Sequence, residues 1–179
     1  MLLATVERGF MEVSYPRAMR PVLFVLRRMD ALEDCDGARV ATWVEKDSSG
    51  AVQFWRRTLR YDDGEEMRFD SRWELTEDGC LAEFINPFLA LVMSVRLRDG
   101  RLHYRGLRFV LRWGAWRVPM PQWLGPGMTT IVEEAVDGTR FAMDFRMTHP
   151  LFGQTFRYAG TFEVSPSLPP MPPAVPVTR

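Results

Sequence analysis

Five side chains in this 179-residue chain are placed to do chemistry: Arg57, Glu83, His103, Glu134 and His149. Arg57 shares its parity with Trp55, Leu59 and Tyr61 in an alternating run. Side chains along a strand point to opposite faces in turn, so this parity aims a guanidinium at the dry side, where it needs a carboxylate. Two carboxylates are candidates: Glu83, between Ala82 and Phe84 in a short apolar run, and Glu134, which shares parity with Val132 and Val136. His103 shares parity with Leu107, Phe109, Leu111 and Trp113. An interior histidine beside a carboxylate could act as a general base. His149 precedes Pro150, which holds it extended, so it is a candidate site residue or a turn that fixes chain direction. The competing reading of Arg57 is a rim residue whose head reaches water, and that of His103 is a satisfied core histidine.

Trp55, Trp73, Trp123 and Tyr158 are the candidate ligand contacts. The Tyr158 hydroxyl would need a partner in a core, and Gly160 on the same face leaves space. The sequence carries no phosphate-binding glycine loop, no nucleophile elbow and no metal-ligand spacing, so neither a metal nor a cofactor is expected.

The elements that position these residues are announced by five Asp-Gly pairs, beginning at residues 36, 63, 78, 99 and 137. Asp-Gly between alternating runs is a strong hairpin signal. Strands are predicted over 38–46, 50–61, 66–75, 79–85, 88–98, 101–113, 128–136, 139–148 and 154–164. In 66–75 the apolar Met67, Phe69, Trp73 and Leu75 oppose Glu66, Arg68, Asp70, Arg72 and Glu74, the pattern of an antiparallel sheet wet on one side. The core expected from this parity is Phe69, Trp73, Leu91, Val95, Phe109, Phe141, Phe145 and Phe162. So many strands predict a mainly β fold, an antiparallel meander that forms a curved sheet or a calycin-like (lipocalin-like) barrel. One amphipathic helix is predicted over 17–32, packed across an end or open side. Residues 114–127 hold Pro119, Pro121 and Pro126, which argue against a regular ladder and for a lid or plug. The expected organisation is a single β-rich domain over 1–164 and a Pro-rich disordered tail over 165–179.

A formal net charge of zero excludes a global field for nucleic acid. No signal peptide pattern and no apolar run of transmembrane length are present, so a cytoplasmic protein with no stable membrane insertion is expected. Cys35 and Cys80 form no CxxC pair and read as free thiols.

Four blocks, GFMEVSYP at 9–16, FDSRWELTEDGCLAEF at 69–84, VPMPQWLGPG at 118–127 and MTHPLFGQTFRYAGTF at 147–162, resemble the bacterial domain-of-unknown-function family 4166. His-Pro-Leu-Phe-Gly followed by Tyr-x-Gly is the most specific. No activity is established for that family. The resemblance implies stand-alone small proteins or partners of oxidoreductases, hence a metabolic setting. Three functions are in play. The first is binding of a small apolar molecule inside the barrel. The second is a cyclase or isomerase acting on a polyketide-like or terpenoid intermediate. The third is a ligand-free accessory domain of an oxidoreductase. An enclosed cavity with a polar lining would favour the first two.

Overall fold

The computed structural model describes residues 5–21, 39–114 and 116–166. Eleven strands follow one another: β1 Thr5–Ser14, β2 Arg39–Ser49, β3 Val52–Arg60, β4 Glu66–Leu75, β5 Leu81–Asn86, β6 Leu89–Arg98, β7 Arg101–Trp113, β8 Trp116–Met120, β9 Met128–Ala135, β10 Arg140–His149 and β11 Gly153–Pro166. Every pairing is antiparallel. All but β8 close into one barrel in the order β1 to β7, then β9, β10 and β11, which returns to β1. The predicted β meander is therefore a closed barrel of ten strands. Closure removes the long open edges that a flat sheet of this width would expose.

Two strands lie outside the predicted set. β1 was legible only as a sequence block, and it forms the closing seam with β11. β8 contains Pro119, yet it pairs with β7 through Phe109↔Met120 to Trp113↔Trp116. Proline is tolerated there because β8 has no neighbour on its other side among the described residues, so no ladder bond is lost. The predicted helix over 17–32 is described only through residue 21. Arg17–Met19 form a single 3-10 turn, and residues 22–32 lie outside the described residues.

The seam depends on two glycines. A methyl group on Gly9 would sit 2.2 Å from the Thr161 carbonyl oxygen, and one on Gly160 would sit 2.2 Å from that of Phe10. Only glycine allows the two backbones to coil this closely across the barrel corner.

Inward residues build one core that includes Met11, Val13, Leu59, Trp73, Leu91, Phe109, Phe145, Phe156 and Phe162. Phe145 stacks on Tyr158 with ring centroids 4.5 Å apart. Val95 departs from the expected core: it is 38% exposed. β5 pairs with β6 only as far as Met93, so the β6–β7 hairpin runs on past its neighbour and carries Val95 into solvent. Outside the barrel, Arg146 and Arg157 hold the Asp144 carboxyl down at about 2.

The two rims differ. One carries the hairpin turns near residues 50, 78, 99 and 137. The other carries residues 15–21, the turn at 61–65, the β5–β6 and β10–β11 turns and the crossing segment 116–127.

Candidate functional site

The barrel encloses a cavity of about 620 Å³. A ten-stranded wall is wider than the eight-stranded one whose interior its own side chains can fill. The volume lies within the range of small-molecule sites, about 300–1,000 Å³. Toward the second rim the lining is apolar, from Met11, Leu59, Met67, Phe109, Phe145, Met147 and Phe156. Toward the first rim it turns polar.

The polar cluster arises from strand parity. β1 turns Glu7 inward with Met11 and Val13, and β3 turns Arg57 inward with Trp55 and Leu59. Arg57 Nη2 donates to Glu83 Oε1 at 3.1 Å and Nη1 to Ser71 Oγ at 2.8 Å. Ser71 Oγ also receives the Trp73 indole N–H at 3.0 Å. The guanidinium lies 4.9 Å from the Trp55 ring and 4.8 Å from that of Phe69. Arg57 thus takes the first of its two candidate partners.

A second group stands beside the first. Lys46 of β2 forms an ion pair with Glu7 and lies 3.7 Å over the Trp55 ring. The Tyr104 hydroxyl donates to Glu133 Oε2 at 3.0 Å. Burial lowers the Lys46 ammonium below its ordinary 10.5 despite the pull of Glu7. Burial also raises the Glu133 carboxyl, against the opposing effect of Lys46 and the Tyr104 hydroxyl. The Tyr104 hydroxyl is itself raised, first by burial and then by the Glu133 charge. Low-dielectric surroundings favour the neutral form of each of these groups.

Several candidate residues fall elsewhere. Glu134 is exposed and pairs with Arg101 at 3.0 Å on the outer face, so the inward carboxylate of β9 is its neighbour Glu133. The parity of β9 was misread because Val132 and Val136 face outward. His103 sits opposite Arg96 and Val132, away from the cavity. Here a β-bulge is responsible: Met93 pairs with Gly106 and Val92 with Arg108, leaving Leu107 as an extra residue. One extra residue exchanges the faces of a strand, so Tyr104 and Gly106 point inward before the bulge and Phe109 and Leu111 after it. Trp123 is exposed and does not line the cavity, whereas Trp55, Trp73 and Tyr158 do. Glu7, Lys46, Tyr104 and Glu133 were all missed. For two of them the signal was available: Glu7 has the parity of Met11 and Val13, and Lys46 that of Val40 and Val44.

The crossing segment is an anchored plug over the second rim. Met120, Leu124, Gly125 and Pro126 face the cavity. Gln122 fills the space left by Gly106 and accepts the Thr129 backbone N–H at 2.6 Å. The Thr155 hydroxyl donates to the Pro126 carbonyl. His149 holds the third point. Its Nδ1 accepts the Leu151 N–H at 3.1 Å, which leaves Nε2–H to donate to the Trp123 carbonyl at 2.8 Å. Its role is to position the plug, and it does not reach the cavity.

These features define a class: a closed antiparallel barrel with an internal cavity that is apolar at one end and charge-paired at the other. The chain belongs to the family described as Domain of unknown function (DUF4166), whose model matches residues 3–162. No curated protein matches it. Among the described residues, no helix is long and apolar enough to cross a membrane.

Proposed function

We propose that the barrel binds one small, mainly apolar molecule whose polar end is neutral, a hydroxyl or a carbonyl. The observation that carries this is the internal pairing of both interior cations among the described residues. Arg57 is held by Glu83 and Ser71, and Lys46 by Glu7. A ligand carboxylate would have to displace one of these buried partners and leave it uncompensated. A carbonyl or hydroxyl can instead hydrogen-bond at Glu133, beside the Tyr104 hydroxyl, and bury its chain among Met11, Leu59, Phe145 and Phe156. The test is titration with N-phenyl-1-naphthylamine, a neutral apolar fluorophore, followed by displacement with long-chain alcohols and the matching carboxylic acids. Saturable one-to-one binding with alcohols displacing better than acids is expected. No saturable binding would remove the proposal.

A second reading is acid–base chemistry on the bound molecule, favoured by the Tyr104–Glu133 pair in the cavity wall. The same lipophilic extract would be recovered from wild-type protein and from Glu133→Gln protein. A different isomer in the two extracts would support this reading, and identical molecules would leave binding alone.

A further inference from the structure

We propose that the plugged rim of the barrel docks on a lipid bilayer carrying anionic headgroups. The rim presents large apolar side chains to solvent from four separate pieces of chain. Phe88 stands on the β5–β6 turn, Trp113 and Trp116 on the β7–β8 hairpin, Trp123 on the plug, and Leu151 and Phe152 on the β10–β11 turn. Trp113 is 82% exposed, Trp116 75% and Leu151 82%. Isolated exposed apolar residues need no explanation, but a cluster of this kind marks an interaction surface.

Their chemistry selects a bilayer as the occupant. Tryptophan is enriched at the membrane–water boundary, because its ring prefers the interface. The β7–β8 hairpin overhangs the rim with a divided surface. Leu111, Val118, Trp113 and Trp116 lie on its cavity-side face, and Arg112 and Arg117 lie opposite each other on the other. Like charges directly across a ladder repel; Arg112 lies over the Phe84 ring at 5.4 Å, and neither arginine forms an ion pair among the described residues. An anionic headgroup layer would supply an acidic partner. Asp62, Asp63 and Glu65 lie on the turn between β3 and β4, across the barrel from this hairpin, so the approach is tilted with the acidic side left in water. Protein segments fix the rim in shape: His149 joins the β10–β11 turn to the plug at Trp123, with Phe152 stacked on the imidazole at 4.7 Å. Docking does not depend on the proposed ligand, although Leu111 and Leu124 line the cavity and are exposed, giving an apolar path from it to the rim.

The test is co-sedimentation of the purified protein with vesicles of phosphatidylcholine alone and of phosphatidylcholine mixed with phosphatidylserine, with tryptophan emission recorded in parallel. Wild-type protein is expected to bind the mixed vesicles, with a blue shift and with affinity that falls as salt is added. Trp113→Ser/Trp116→Ser/Leu151→Ser should abolish binding, and Arg112→Gln/Arg117→Gln should weaken it roughly thirty-fold. Both variants change exposed or half-buried positions outside the cavity, so both should keep the wild-type melting curve and bind N-phenyl-1-naphthylamine normally. Failure of the wild type to bind mixed vesicles overturns the docking proposal, as does unchanged binding by the apolar-to-serine variant. So does a dimer in solution that this variant dissociates, which would make the rim a contact between copies. Loss of fluorophore binding in wild-type protein would overturn the ligand reading and leave docking standing.

Discussion

Arg57 and Glu83 are two charges taken largely out of water, and their worth shows only when one is removed. Arg57→Met leaves Glu83 buried without a counter-charge and should cost about 3–5 kcal/mol in urea denaturation. Arg57→Met/Glu83→Met removes both charges and should regain most of that loss. If the double variant is as unstable as the single, the cost lies in lost packing on Trp55 and Phe69. Glu133 makes a different prediction. Its carboxyl is raised above the ordinary 4.5, so the folded state holds this proton more tightly than the unfolded chain does. Its contribution to stability is then greatest below about pH 4.5 and declines as pH rises toward the folded value. Glu133→Gln abolishes that decline while leaving an acceptor for Tyr104. The stability of the variant relative to wild type should rise as pH increases from about 4.5 toward the folded value. A difference that stays flat over that interval would show that burial does not hold the proton on Glu133. Lys46, with its lowered ammonium, acts in the opposite sense and in the alkaline range, since stability is gained as pH rises through its folded value.

The seam between β1 and β11 and the plug are the elements on which the barrel's shape depends. At the seam an added methyl meets backbone oxygen, which cannot rotate away. Gly160→Ala should therefore cost about 1–3 kcal/mol or more by thermal denaturation. A neutral result would mean that the two strands can separate without breaking the ladder. In the plug, His149→Ala removes one hydrogen bond to Trp123 and one from Leu151. A loss of about 1–2 kcal/mol is expected, and stopped-flow mixing with N-phenyl-1-naphthylamine should show association and dissociation rates rising together. Rates equal to those of wild type would place ligand entry somewhere other than the plugged rim.

The barrel as a unit is a container whose emptiness is a consequence of its strand number. Met143 lines the cavity midway along β10. Met143→Trp should fill part of the space, block N-phenyl-1-naphthylamine and leave the fold intact by circular dichroism. Retained fluorophore binding would place the ligand outside the barrel. Phe145→Ala enlarges the same space and should cost about 3–5 kcal/mol, because the removed ring stacks on Tyr158 and packs edge-on against Phe156.

Local chemistry determined most of the strands from β2 onward. Asp-Gly turns and alternating side chains act over a few residues, so 66–75 and 101–113 were placed to the residue, and Arg57 was placed inward with Glu83 or Glu134 as its partner. The tertiary structure decided what depends on distant partners. β1 is a strand because β2 and β11 pair with it from remote parts of the chain, and β8 is one because its outer edge is free. A bulge at Leu107 reversed the faces of β7, moving His103 outward and Tyr104 inward, and no alternation within β7 alone could reveal it. The polar cluster joins β1 to β5 with β7 and β9, which only closure of the barrel brings together. A carboxylate such as Glu133 gains its character from that closure, since the burial that raises it is made by strands more than a hundred residues apart in some pairs, β1 with β11 above all.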